Sequence, residues 1–106
     1  MSTNKKIIKE LKTYLIQNIG EEIDEVILFG SRANRNNTID SDYDVLIIVN
    51  KHYDAKYEEH IQDLCYDIDL KYDVIIDPHL LSSDELLTIR GKQPIFVNAI
   101  NNGIRA

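Results

Sequence analysis

Cys65 is the single thiol of this 106-residue chain. One cysteine makes neither a disulfide framework nor a thiolate cluster for zinc, and it suits a reducing compartment. Cationic side chains are also scarce: 12 Lys and Arg against 18 Asp and Glu leave a net charge of −6. That balance repels nucleic acid and anionic membranes as bulk partners, so any phosphate-bearing ligand needs cations to approach. No apolar run reaches the ~20 residues of a membrane span. Met1 to Lys6 is polar and lacks the apolar core of a signal peptide, so the expected location is the cytoplasm. His52, His60 and His79 lack the spacing of metal ligands and read as surface residues. The tyrosines are scattered without interleaved basic residues, which argues against a platform for stacking bases.

A chain of this length is expected to form one domain over residues 1–106, with little room for a separate substrate-binding unit. Ile7, Ile8, Leu11, Tyr14, Leu15 and Ile19 recur at three- and four-residue steps, which predicts a helix from about Thr3 to Asn18, closed by Gly20. Apolar, β-prone runs predict strands from Glu25 to Phe29 and from Tyr43 to Val49, with a polar, turn-prone stretch over 34–40 between them. Helical period returns from Asp54, a candidate N-cap, to about Leu70, with Tyr57, Ile61, Leu64, Cys65 and Ile68 on the apolar face. Cys65 and Tyr57, with Tyr66, read as packing residues, and Asp54, Glu58, Glu59 and Asp63 as the solvated face. A third strand is predicted over Tyr72 to Ile76, stopped by Pro78. A short helix from Ser82 or Ser83 to Arg90 ends at Gly91, and a last one opens at Pro94, with Phe96, Val97 and Ile100 inward and Gly103 as its stop. The order is that of an α/β (α+β) domain with a small mixed sheet flanked by helices.

Between the first two strands lies the most informative pattern: Gly30-Ser31, ten residues, then Asp42-Tyr43-Asp44. From average residue usage it arises by chance in on the order of one chain in a thousand of this length. Residues two apart on a strand share a face, so Asp42 and Asp44 converge while Tyr43 points away. Paired carboxylates raise one another's pKa unless a cation neutralises them, and oxygen ligands of this kind suit magnesium, which also binds substrate phosphates. Gly30 lets the backbone turn tightly against a phosphate, Ser31 adds a hydroxyl, and Arg32 and Arg35 are the nearby cations that a triphosphate would need. An aspartate before a strand commonly serves only as a turn residue; it is the joint pattern that points to chemistry.

The second and third strands, joined by a helix, form a β-α-β unit and are therefore expected to run parallel. Their starts then lie at one edge of the sheet, which places Asp73 beside Asp42 and Asp44. Asp77 shares a face with Asp73 but falls roughly 13 Å further along, and is the weaker candidate. Three carboxylates suffice for two metal ions performing in-line phosphoryl or nucleotidyl transfer.

These residues resemble the minimal nucleotidyltransferase domain of the polymerase-β superfamily, whose signature G-S-x(10)-D-x-D plus a later strand carboxylate matches Gly30, Ser31, Asp42, Asp44 and Asp73. The likeness covers nearly the whole chain, including the tail from Gln93 to Ile104. It implies that Gly30 and Ser31 hold the phosphates of ATP, with Arg32 the neighbouring cation expected to contact them. Asp42 and Asp44 would bind two Mg2+ ions, and Asp73 would complete the catalytic metal site. Attack on the α-phosphate would release pyrophosphate. The family's commoner Arg-Ala-Arg-Gly after Gly-Ser reads Arg32-Ala33-Asn34-Arg35 in this chain.

Short members of the superfamily are commonly antitoxins encoded beside a helical HEPN ribonuclease, and some transfer AMP to a tyrosine of that toxin. The resemblance therefore implies a HEPN-type toxin as partner and acceptor. Two alternatives stand beside it: a non-catalytic antitoxin of the same fold, and transfer to a small molecule such as an antibiotic. A small sheet with few covering helices also makes self-association through an apolar surface an expectation.

Overall fold

The structure, a computed structural model, describes residues 3–30, 42–88 and 92–106. In chain order its elements are α1 (Thr3–Ile19), β1 (Ile23–Phe29), β2 (Tyr43–Val49), α2 (Ala55–Tyr72), β3 (Ile76–Ser82), a 3-10 turn (Ser83–Leu87), α3 (Pro94–Asn102) and β4 (Ile104–Arg105). The strands form one mixed sheet in the order β3-β2-β1-β4. β1 pairs antiparallel with both β2 and β4, whereas β2 and β3 run parallel, as the β-α-β reading requires.

Strand alternation sorts the apolar residues into two layers. Val26 and Leu28 of β1, Tyr43, Val45, Ile47 and Val49 of β2, and Ile76 and Leu80 of β3 face one way. They pack against Ile7, Ile8, Leu11 and Leu15 of α1 and Ile61, Leu64, Cys65 and Ile68 of α2. On the other face Ile27, Phe29, Leu46, Ile48 and Leu81 meet Phe96 and Ala99 of α3. Each such side chain, fully buried, contributes roughly 1.5–3 kcal/mol of hydrophobic stabilisation. Cys65 lies in the first layer, and burial pushes its thiol up to about 12, as befits a packing residue. Tyr66, by contrast, is 58% exposed and packs in neither layer.

Side-chain hydrogen bonds from tyrosines tie the helices down. The Tyr14 hydroxyl donates to Asp67 and that of Tyr72 to Glu10, both at 2.6 Å, linking α1 with α2. Tyr57 donates to Glu22 at 3.2 Å, and burial followed by that carboxylate raises its phenol to about 12. Asp54 is the N-cap of α2, accepting from the Tyr57 N–H at 2.8 Å.

The clearest departure from the sequence reading lies between α2 and β3. α2 runs on to Tyr72, and Asp73 is its C-cap in the left-handed region, at φ 53°. Its N–H and that of Val74 both donate to the Asp69 carbonyl, while the Asp69 carboxylate accepts from the Ile76 N–H at 2.9 Å. One residue thus collects three N–H groups of the connection, and the strand starts at Ile76. Pro78 does not stop it, because β3 is an edge strand where the lost N–H costs no ladder bond.

Smaller departures follow the same logic of context. The short helix expected after β3 is a 3-10 helix that starts where the sequence places it, with Ser82 as N-cap and a capping box to Glu85, but it ends at Leu87; Arg90 and Gly91 lie outside the described residues. α3 buries Phe96 and Ala99, leaving Val97 40% exposed. The two-residue β4 follows Gly103, where an added Cβ would strike the Ile27 side chain and come within 2.9 Å of the Leu28 carbonyl.

Candidate active site at the start of two parallel strands

Asp44 is the second residue of β2. Antiparallel pairing sets it opposite Phe29, the last residue of β1, and parallel pairing sets it opposite Asp77. His79 follows two residues later on the same face of β3. Its Nε2 lies 3.3 Å from Asp77 Oδ2 and 3.9 Å from Asp44 Oδ1. One ligand atom each from Asp44, Asp77 and His79 falls within 4.8 Å of the others. Asp42 is exposed just before β2, and its charge acts on both Asp44 and Asp69.

Electrostatically this is a site in want of positive charge. Burial, then Asp77, then Asp42 push the Asp44 carboxyl above the usual aspartate range, and His79 partly opposes them. Gly30, at φ 74°, sits directly against the Asp44 carboxylate. A Cβ there would collide with Oδ2 and approach Cγ to 3.3 Å, so the glycine is required for space as well as for its backbone angle.

Of the residues singled out by sequence, Gly30, Asp42 and Asp44 gather at this end of the sheet. Ser31 and Arg32, with Arg35, lie outside the described residues. Asp73 is not among the gathered groups: as the exposed cap of α2 it precedes the strand on which it was expected. The carboxylate in register with Asp44 is Asp77, because β3 begins later than its composition suggested. His79 is likewise no surface histidine, whereas His52 and His60 are exposed as expected. The signal in the sequence is the alternation Asp77-Pro78-His79, which repeats the Asp-x-Asp spacing across a proline that an edge strand tolerates.

The donor set fits a divalent cation. Asp44 and Asp77 offer hard oxygen ligands, the Nε2 of His79 is buried without a hydrogen-bond partner among the described residues, and Gly30 itself places no side chain against Asp44. When bound, such a cation supplies charge neutralisation and polarisation of a phosphoryl oxygen.

The family model described as polymerase beta, nucleotidyltransferase matches residues 5–101. The chain belongs to this family. Membership makes it an enzyme of the nucleotidyl-transfer class, and the minimal nucleotidyltransferase resemblance holds. Two proteins of Methanocaldococcus jannaschii, each carrying protein adenylyltransferase as a provisional name, are similar to it. One is 38% identical over 69% of this chain and 74% of its own length; the other is 33% identical over 92% of each. Among solved structures, a mutant of the MntA-HpeT toxin-antitoxin shares the fold at a TM-score of 0.58 and 18% identity, over 98% of this chain and 72% of that one. No described helix is long and apolar enough to cross a membrane.

Proposed function

We propose that this nucleotidyltransferase transfers AMP from ATP to a protein hydroxyl, a tyrosine of a HEPN-type toxin, and thereby acts as the antitoxin of a pair. The observation that carries the reading is the parallel register of Asp44 with Asp77 beneath Gly30. It is supported by the adenylyltransferase name of the two archaeal relatives and by the toxin-antitoxin in which the fold neighbour occurs.

In this reading Asp42, Asp44 and Asp77 hold the divalent cations, magnesium by the resemblance. Gly30, Ser31 and Arg32 receive the nucleotide phosphates. The acceptor oxygen forms a bond to the α-phosphorus as the bond to the β-phosphate oxygen breaks, pyrophosphate leaves, and the hydroxyl proton passes to solvent or to a nearby carboxylate. The chain's own contribution is to fix the carboxylates on a rigid strand pair, so that charge neutralisation is ready before the acceptor arrives.

The experiment is incubation of this protein with its genomic neighbour, ATP and Mg2+, followed by intact-mass analysis of the neighbour. An increment of one AMP on a tyrosine is expected, with Asp44→Asn and Asp77→Asn each lowering the rate by at least about a hundredfold. Labelling that survives both substitutions would remove these carboxylates from the reaction, whereas growth rescue by the Asp42→Ala, Asp44→Ala double variant without labelling would establish neutralisation by contact alone.

A further inference from the structure

His79 is the one member of the cluster that the nucleotidyl-transfer reading does not require. Its position is nonetheless constrained. The ring packs on Phe29, with centroids 5.4 Å apart and planes tilted by 59°. Phe29 is the β1 partner of Asp44, so the same strand pairing that places the carboxylate holds the imidazole. The histidine side chain is only 26% exposed, and its Nε2 is buried with no hydrogen-bond partner among the described residues. Asp77, at 3.3 Å, is near enough but does not offer hydrogen-bond geometry, and Asp44, at 3.9 Å, lies beyond hydrogen-bond reach.

Two donors each about 2.1–2.2 Å from one ion lie roughly 3 Å apart at a right angle and somewhat over 4 Å apart when opposed. The separations of Nε2 from the two carboxylates fall in that range. A desolvated nitrogen that makes no hydrogen bond to the described residues, yet keeps ligand spacing from two carboxylates, is placed to bind metal. We propose that His79 is a specificity-determining residue of this site, a nitrogen ligand beside Asp44 and Asp77 that draws its cation preference from Mg2+ toward a first-row transition ion such as Mn2+. The chemical reason is that Mg2+ keeps to oxygen ligands and retains its waters, whereas first-row transition ions accept imidazole readily. The inference rests on the reading of Asp44 and Asp77 as metal ligands.

The test is calorimetric titration of the nucleotide-free protein with Mn2+ and, separately, Mg2+, for the wild type and for His79→Phe, which keeps the ring against Phe29 but removes both nitrogens. Mn2+ affinity is expected to fall by about tenfold or more while Mg2+ affinity changes by less than about twofold. Pulsed EPR of the Mn2+-loaded wild type should display 14N coupling from a directly bound imidazole, absent in His79→Phe. Circular dichroism establishes that the variant is folded; should it not be, His79→Gln takes its place with the same expectation for nitrogen coupling. Equal changes in the two affinities, or no nitrogen coupling in the wild type, would overturn the proposal. Asp44→Asn and Asp77→Asn serve as controls: if both retain wild-type Mn2+ affinity, the metal-site reading fails as well, whereas loss in these with no effect of His79→Phe removes the histidine alone.

Discussion

At the scale of single residues, the contact between Gly30 and Asp44 joins the two halves of the motif. A methyl group at position 30 would sit where Asp44 Oδ2 now lies, on a backbone at φ 74° that side chains disfavour. Gly30→Ala is therefore expected to cost about 1–3 kcal/mol of stability. It should also displace the carboxylate, so that Mn2+ binding weakens in protein that remains folded. Thermal unfolding and metal titration on the same sample check both parts.

Asp44 itself links protonation to stability. Its carboxyl titrates above the ordinary 3.8 in the folded state, through burial first and the Asp77 charge second. A raised folded pKa means that the stabilising contribution is fully present below 3.8 and is lost as pH rises through the folded value. In chelator, Asp44→Asn should therefore match the wild type at the acid end. It should become the more stable protein as pH rises toward neutrality, with added Mn2+ narrowing the gap. Melting curves between about pH 3.5 and 7 test this, and a wild type more stable than Asp44→Asn at neutral pH without metal would contradict it.

At the scale of elements, the α2–β3 connection decides which carboxylate faces Asp44. Asp73 holds a left-handed cap at φ 53°, a conformation in which glycine is preferred. Asp73→Gly is expected to raise stability by roughly 0.5–1 kcal/mol and to leave AMP transfer within about twofold of wild type. Loss of transfer on that substitution, with Asp77→Asn active, would return the third carboxylate to Asp73. Much here was legible in sequence: β2 from Tyr43 to Val49, the N-cap at Asp54, α3 from Pro94, and the parallel β2–β3 pair all follow from local pattern. The start of β3 was not. Tyr72, Val74, Ile75 and Ile76 are β-prone by type, but Tyr72 closes a helix through its bond to Glu10 and Asp69 spans the next residues. Those partners come from α1 and from within α2, and no window around the strand contains the first of them. β4 was missed for a related reason. Two residues make no pattern, and they are held by pairing with β1 and by Arg105 donating to Glu25 at 2.8 Å.

At the scale of the whole molecule, the sheet separates two cores of unequal size. α1 and α2 cover one face; on the other, α3 covers a smaller cluster through Phe96 and Ala99. Phe96→Ala is expected to cost roughly 3–5 kcal/mol, a large part of the 5–15 kcal/mol typical of a domain. Because α3 and β4 pack chiefly on β1, hydrogen exchange in that variant should rise first over residues 94–106, with β2 amides still protected. Uniform loss of protection would mean that the two layers are not separable.

The Asp-Tyr-Asp triplet also fixes which way β2 faces. From Val45 to Val49 every residue of β2 is apolar and buried, so that stretch fits its neighbours almost equally well with either face turned to either core. A slip by a single residue would exchange those faces. Only the triplet distinguishes them: the slipped strand would push Asp44 beneath α1 and pull Tyr43 away from Asn4, to which its hydroxyl donates at 2.7 Å. Burying an unpaired carboxylate costs several kcal/mol. The aspartates thus act as an error check on strand assembly, and a variant that neutralises both of them risks an alternative threading of the sheet as well as an inactive site.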